Sequence, residues 1–246
     1  MTSASEPTIP VLSVIVPTYN ERENIIRLAT NILEAVAGTP VEVIIVDDNS
    51  PDGTAAIVSE LAADDARVRV VSRERKQGLS GAVFAGVAAS TGTYICVMDA
   101  DFSHDPEEIP QMLAKAQAGY DVVVGSRYAK GAAFVGQPLT RRIISYALNL
   151  GARLLLQIGT RDVLTGYALV RRDILATAPT RFSAGGFKWL VEVLATQRGL
   201  RVHEWPILFR DRKAGTSKAN YKEAVTFTVL CARLFAWRIR HALGQR

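Results

Sequence analysis

The strongest chemical signal in the chain is Asp99-Ala100-Asp101, which follows the apolar run Tyr94–Met98. In an extended segment, residues two apart point the same way, so both carboxylates would face one side of a cleft. Carboxylates placed so repel unless a cation joins them. Hard oxygen ligands suit Mg2+ or Mn2+, with substrate phosphates and water completing the shell. The alternative is a solvated loop whose acids cap a helix, and Asp105-Pro106-Glu107-Glu108 just beyond is a good helix-start signal. Spacing alone leaves both readings open.

Three further groups stand at similar places. Asp47 and Asp48 end the run VEVIIV, where a carboxylate can accept from a base N–H or a ribose hydroxyl. The same stretch, through Ser50, Asp52 and Gly53, also carries turn and helix-cap chemistry. Pro17-Thr18-Tyr19-Asn20-Glu21 ends the run VLSVIV: Tyr19 can stack on a base and Glu21 can bind a polar base edge, while Asn20 and Glu21 also start a helix well. The last group is basic: Arg127, then Arg210, Arg212, Lys213 and Lys218 in a polar loop over 210–220. That loop could close over a pyrophosphate, or be an ordinary solvated loop.

The elements that must position these groups alternate. Strands are expected at Val11–Val16, Val41–Val46, Val68–Val71, Tyr94–Met98 and Asp121–Gly125, and helices at Glu21–Val36, Asp52–Ala62, Leu79–Ala89 and Pro106–Ala118. Gly81 and Gly86 would permit close packing of the third helix. Such alternation implies a mainly parallel α/β sheet with right-handed crossovers, and ligands bind beyond the strands' carboxyl ends. After about residue 127 the alternation stops. Helices are expected at Ile143–Ile158, Phe187–Gln197 and Tyr221–Ile239, and a strand at Val202–Phe209 with Pro206 marking an edge or bulge.

With 48% hydrophobic and 22% charged residues, a chain of 246 residues buries a real core, which excludes global disorder. Two distant cysteines exclude a disulfide scaffold and favour a cytosolic home. The first ten residues read as a frayed tail, not a secretory signal. No apolar stretch reaches the ~18 uncharged residues that span a bilayer. Charge is split, with a balance of −10 over residues 1–126 and +15 over 127–246. An acidic half could hold a cation, and a basic half could meet anions or an anionic membrane. Nucleic acid is disfavoured: the chain has no helix-turn-helix, zinc-finger spacing or aromatic RNA platform. The dinucleotide fingerprint, the P-loop and the nucleophile elbow are absent as well. His104, His203 and His241 lack zinc-site spacing and read as structural or surface residues.

Taken together, these segments identify a resemblance. VIVPTYNERENI at 14–25, VIIVDDNSPDGT at 43–54, GLSGAVFAG at 78–86, VMDADFSHDPEEIP at 97–110, VVVGSRYAKG at 122–131 and RKAGTSK at 212–218 resemble family 2 glycosyltransferases of the GT-A fold. More closely, the chain resembles dolichyl- or polyprenyl-phosphate mannose synthases. The resemblance covers nearly all of residues 11–220. It implies a Rossmann-like, mainly parallel sheet flanked by helices, with C-terminal amphipathic helices. The expected organisation is a tail over 1–10, the GT-A domain over 11–220, and an interfacial helix over 221–246 packed on that domain.

The resemblance also implies roles. Pro17, Tyr19, Glu21, Val46, Asp47 and Asp48 would frame the nucleotide of the donor, GDP-mannose. Asp99, Ala100 and Asp101 would sit at its pyrophosphate, the two acids through Mg2+ or Mn2+. Arg127, Arg212 and Lys218 would neutralise phosphates, with Asp101 and Arg127 the catalytic pair. Ser103 stands where some relatives carry an amide near the metal, and the stretch RDVLTGY at 161–167 departs from the usual D-P-[ST]-G-F form.

The implied reaction is inverting transfer of mannose to a polyprenyl (dolichyl-type) phosphate. A UDP-sugar donor, a non-lipid acceptor and a non-catalytic nucleotide- or membrane-binding module are the alternatives. The apolar helices 143–158 and 221–239, flanked by Arg141, Arg142, Arg153, Arg233, Arg238 and Arg240, suit peripheral attachment to the cytoplasmic face of a membrane, with or without a separate membrane-anchoring subunit; the alternative is that their apolar stripes are core or a dimer contact.

Overall fold

Strands β1 (Leu12–Thr18) and β2 (Val41–Asp47) are buried at every residue. That is what near-continuous apolar runs require of parallel strands covered on both faces. The computed structural model describes residues 10–76, 78–178, 188–210, 221–242 and 244. The remaining elements of the first half are α1 (Arg22–Ala35), α2 (Thr54–Asp64), β3 (Val68–Ser72), α3 (Leu79–Ala89), β4 (Tyr94–Val97), a 3-10 turn (Pro106–Glu108) running into α4 (Ile109–Gln117), and β5 (Val122–Ser126). The second half adds β6 (Ala133–Val135), α5 (Leu139–Leu156), β7 (Ala168–Arg171), α6 (Arg172–Thr177), α7 (Trp189–Thr196), β8 (Val202–Pro206), β9 (Leu208–Arg210) and α8 (Tyr221–Ala242).

Among the described residues the main sheet has seven strands in the order β3-β2-β1-β4-β7-β5-β8, and β6 pairs with β9 in a small second sheet. Every pairing in the main sheet is parallel except those of β7, which runs antiparallel to both β4 and β5. The sheet is therefore the expected mainly parallel α/β sheet, with one strand reversed. The reversal has a functional consequence. The carboxyl ends of β1, β2, β4 and β5 lie along one edge, and the amino end of β7 joins them there.

Period-2 alternation sends Leu12, Val14 and Val16 into one core layer with Ile25, Leu28 and Ile32 of α1, while Ile15 faces the other layer with Val83 and Val87 of α3. In α3, a Cβ on Gly86 would lie 2.5 Å from Cγ2 of Ile15, so the helix approaches the sheet closely only because that residue is glycine. At Gly81 the neighbour is only the Arg73 guanidinium, so the packing role expected of both glycines belongs to Gly86.

The single strand expected at Val202–Phe209 is divided at Ile207: β8 forms the sheet's edge and β9 pairs with β6. Proline has no ladder donor, so Pro206 stands where the pairing changes. Strand β7 and helix α6 fall where the sequence shows no regular alternation. Helix α5 starts at Leu139, earlier than expected, and α7 starts at Trp189; the expected start at Phe187 lies outside the described residues. So do Arg212, Lys213 and Lys218, and the first nine residues. Helix α8 packs on α5 and α7, burying Phe227, Leu230, Cys231 and Leu234. Both cysteines are free and buried. No described helix is long and apolar enough to cross a membrane.

Candidate active site

Three adjacent parallel strands, β2, β1 and β4, deliver the acidic and aromatic groups to one edge. Beyond β1, Tyr19 is 39% exposed, with the Lys76 ammonium 3.4 Å from its ring centroid. A cation on one face leaves the other face of an exposed ring available for stacking. Glu21 accepts from the Asn24 amide at 2.8 Å. Pro17 and Val46 are buried register partners beneath them.

Asp47 and Asp48 behave differently although both are buried. Asp47 accepts from the Ser50 backbone N–H at 2.9 Å and from the Thr18 hydroxyl at 3.2 Å, which closes the turn after β2. Asp48 pairs with the Arg73 guanidinium. Asp52 links two helix starts: one oxygen accepts from the Thr54 N–H at 3.0 Å and the other from the Arg22 N–H at 3.1 Å. The turn-and-cap reading of this stretch is thus observed for Asp47 and Asp52.

The Asp99–Asp101 turn follows β4. Phe102 within it has φ 60°, a conformation that bulky residues rarely adopt and that functional turns retain. Ala100 is buried. Asp101 accepts from the Ser103 N–H at 3.0 Å, so Ser103 braces the turn. The Asp99 side chain is 28% exposed, and no described residue donates a hydrogen bond to its carboxylate. Opposite it, a Cβ on Gly166 would come within 3.0 Å of Asp99 Oδ1, so the missing side chain keeps that space open.

These features fit a hard divalent cation such as Mg2+ or Mn2+. Two carboxylates are present, one with open space beside it, and no group of three His, Cys, Asp or Glu converges among the described residues. That donor set suits a cation whose shell is completed by phosphates and water, not an all-protein cage.

The structure places two residues at the site to which the sequence assigned no role there. His104 is buried, stacks on Tyr167 at 4.8 Å, and accepts the Asp99 backbone N–H at Nδ1 over 3.2 Å. Burial lowers its pKa against the pull of Asp99 and Asp101. A ring that accepts at Nδ1 is neutral and carries its proton on Nε2. The structural reading of His104 therefore stands, and its position inside DADFSHDP was the available signal. Lys188, at the start of α7, is the second such residue. Burial and then Arg127 lower its pKa, while Asp99, Glu223 and Asp162 act the other way. Its signal was a charge opening an apolar helix.

Arg127 follows β5. Its Nε and Nη2 each donate to Asp162 at 2.8 Å, and its backbone N–H donates to the same carboxylate at 3.0 Å. Burial opposes the charge on Arg127, but Asp162, joined by Tyr128 and Asp99, outweighs it and raises the guanidinium's pKa. Asp162 and Gly166 both belong to the 161–167 stretch, which enters the site from the amino end of β7. Beside Arg127 lies a groove of about 650 Å³ with Tyr128, Phe134, Leu139, Ile143 and Tyr146 on its walls and Arg142 stacked 4.7 Å over Phe134.

Acids at the ends of adjacent parallel strands, a paired-carboxylate turn and a largely buried arginine thus share one edge of a mainly parallel sheet. Residues 13–177 match the model of glycosyl transferase family 2, and the chain belongs to that family. It is 36% identical over 228 residues to a dolichol-phosphate mannosyltransferase of Pyrococcus furiosus, covering 92% of this chain and 64% of that protein. It is 38% identical over 242 residues to a polyprenol monophosphomannose synthase of Mycolicibacterium smegmatis, covering 94% of this chain and 88% of that protein. Among solved structures, glucosyl-3-phosphoglycerate synthase of Mycobacterium tuberculosis in complex with phosphoglyceric acid superposes with a TM-score of 0.64 at 20% identity, over 91% of this chain and 80% of that one. Its complex with Mn2+, UDP and glucosyl-3-phosphoglycerate gives 0.62 at 21% identity, over 92% and 79%. These two likenesses show the GT-A type of fold.

Proposed function

We propose that the protein transfers mannose from GDP-mannose to a polyprenyl (dolichyl-type) phosphate at a membrane surface, with inversion at the anomeric carbon. The observation that carries this reading is the groove at Arg127. It joins a largely buried cation, its side chain 9% exposed, to an aromatic and aliphatic channel that opens onto the exposed apolar residues of α5. A phosphate bearing a long apolar tail matches that sequence of surfaces. The names of the two relatives support the same acceptor and sugar.

In this reading the nucleotide lies across the ends of β1 and β2. Tyr19 stacks on the base, Glu21 reads its polar edge, and Asp48 sits at the sugar of the nucleoside, while Asp47 holds the turn that presents it. Asp99 and Asp101 would hold Mg2+ or Mn2+, which when bound supplies charge neutralisation for the leaving diphosphate. Arg127 and Arg142 hold the acceptor phosphate, and Asp162 keeps the Arg127 fork aimed. Arg212 and Lys218 are the proposed further phosphate contacts.

An acceptor phosphate oxygen is already anionic at neutral pH, so it attacks without a strong general base. His104, neutral and turned to the Asp99 backbone, is suited to hold the turn and not to take a proton. Catalysis then rests on orientation and on neutralising two anions brought together. A single displacement inverts the anomeric carbon. The exposed apolar residues Leu139, Ile143, Ile144, Leu150 and Leu154 of α5 would lie in the lipid interface.

The test supplies purified protein with a short polyprenyl phosphate, Mg2+ or Mn2+, and GDP-mannose, UDP-glucose and UDP-N-acetylglucosamine in competition. Mass spectrometry reads the lipid product, and NMR reads its anomeric configuration. A mannosyl phospholipid of inverted configuration, made only from GDP-mannose, is expected. A product from a UDP-sugar overturns the mannose assignment, and no lipid product from any donor overturns the acceptor.

A further inference from the structure

At the far end of α5 from the Arg127 groove lies a second cavity, of about 530 Å³. Helix α5 has 18 residues, which separates its two ends by about 27 Å. Leu139, at its start, lines the groove, while Gln157, just past its end, lines the second cavity. The cavity also meets β8 at Val202–Glu204, toward the strand end opposite the one that adjoins Arg127. The two cavities share no lining residue, although Thr160 stands two residues from Asp162, which holds Arg127, and Glu204 accepts from the Ser126 hydroxyl beside Arg127.

Its chemistry is cationic. Arg198 and Arg238 both line it, and among the described residues neither makes an ion pair or a hydrogen bond. Thr160 lines it as well. That residue is 4% exposed, and among the described residues its hydroxyl has no hydrogen-bond partner. A buried hydroxyl left unpaired costs about 1–3 kcal/mol, which a ligand in the cavity would recover.

The opposing charges are accounted for. Glu204 is engaged by the Ser126 hydroxyl at 2.9 Å and the Arg161 N–H at 2.8 Å, with the Arg161 guanidinium 3.9 Å away. The ends of α5 and α7 contribute roughly half a negative charge each, which two guanidinium groups exceed. His203 lines the cavity too, and burial and then Lys115 lower its pKa against the pull of Glu204.

The cavity continues into an apolar notch. Gln157, Arg198 and Arg238 also border a smaller cavity of about 160 Å³ walled by Leu155, Phe235 and Ile239. These three side chains are exposed and share the α5–α8 surface. A polar, doubly cationic pocket opening onto exposed apolar residues is complementary to an anionic headgroup with apolar chains.

We propose that Arg198, Arg238 and the Thr160 hydroxyl form a phosphate-binding site for the headgroup of an anionic phospholipid, separate from the site of transfer. It gives the protein a second contact with the bilayer and so fixes the angle at which the Arg127 groove meets it. The inference rests on the membrane part of the reading above and not on its donor or sugar.

The test uses the full chain, with no sugar nucleotide, and vesicles of phosphatidylcholine alone or doped with phosphatidylglycerol, read by co-sedimentation. For Arg198→Gln/Arg238→Gln, affinity for doped vesicles is expected to fall about thirtyfold, at roughly fivefold per basic residue near an anionic surface. Binding to phosphatidylcholine alone is expected to change little. Thr160→Val changes no charge, removes an unpaired hydroxyl and should fold as stably as wild type. It is expected to lose about fivefold on doped vesicles only. Equal losses on both vesicle types, or an unaltered Thr160→Val, overturn the site. Calorimetry with glycerol 3-phosphate separates the two sources of phosphate. Saturable binding to it without any preference for doped vesicles overturns the lipid assignment. Wild-type protein that binds neither vesicle overturns both this site and the membrane reading, leaving the transfer reaction to its own assay.

Discussion

Asp162 holds Arg127 by three hydrogen bonds, two from the guanidinium at 2.8 Å and one from the backbone at 3.0 Å, and Asp162 has no solvent exposure. A charge fixed so firmly does not wander toward whichever anion is nearest. Arg127 held in this way is also one wall of the groove. Removing the carboxylate by Asp162→Ala should cost about 3–5 kcal/mol, because a buried guanidinium is left unpaired. Chemical denaturation measures that loss.

Arg127→Lys separates charge from geometry. It keeps the cation and loses the two-pronged fork. In the proposed reaction it should raise the KM for the lipid phosphate about tenfold or more, with the donor KM little changed. Steady-state kinetics with each substrate varied in turn would check this. A rise confined to the donor KM would move Arg127 to the donor's diphosphate.

Asp99→Asn tests the metal. Because no described residue donates to this carboxylate, the variant should fold with wild-type stability. Mn2+ binding read by electron paramagnetic resonance in the presence of GDP should weaken at least tenfold, and turnover should fall about a hundredfold. EDTA should abolish wild-type turnover, and added Mg2+ or Mn2+ should restore it. Full activity in EDTA would count against the cation.

The apolar face of α5 should matter to lipid and not to folding. Leu154 is 73% exposed and Ile143 is 59% exposed, so Ile143→Ser/Leu154→Ser removes little buried surface. The expected outcome is an unchanged melting temperature, with at least tenfold weaker binding to phosphatidylcholine vesicles. A large drop in melting temperature would instead mark that face as a contact within an oligomer.

Glu42 supplies a pH signature remote from the site. It is buried on β2 and accepts from the Ser13 hydroxyl at 2.7 Å and the Thr91 N–H at 2.6 Å, with Arg69 at 3.4 Å. Burial raises its pKa, but these hydrogen bonds and Arg69 outweigh burial and bring it below the ordinary value of 4.5. Its stabilisation is therefore present above that value and is lost as pH falls through the lowered one. Glu42→Gln should cost about 1–3 kcal/mol at neutral pH and flatten the acid limb of the stability profile. An acid limb of unchanged slope would refute the linkage.

Much of the first half was legible from the sequence alone. VLSVIV and VEVIIV are apolar at nearly every position, and only strands covered on both faces satisfy that; both are fully buried. The spacing of Ile25, Leu28, Ala29, Ile32 and Leu33 marks one face of a helix, and all five are buried on α1. Once those strands are parallel neighbours, the residues that follow them share an edge, so Tyr19, Asp47, Asp48, Asp99 and Asp101 could be grouped before any coordinates.

The second half required the tertiary structure. Strand β7 is only four residues long, and its reversed direction is set by its neighbours β4 and β5. That reversal puts the segment before β7, which carries Asp162 and Gly166, at the edge where Arg127 and Asp99 lie. The partnership of Asp48 with Arg73, the burial of His104 and the exposure of the α5 stripe are likewise contacts between distant segments. Local periodicity reports which face of an element is apolar and which residues end it. It carries no information on which elements become neighbours, or whether an apolar face meets protein or remains uncovered, because those depend on the packing of the whole sheet.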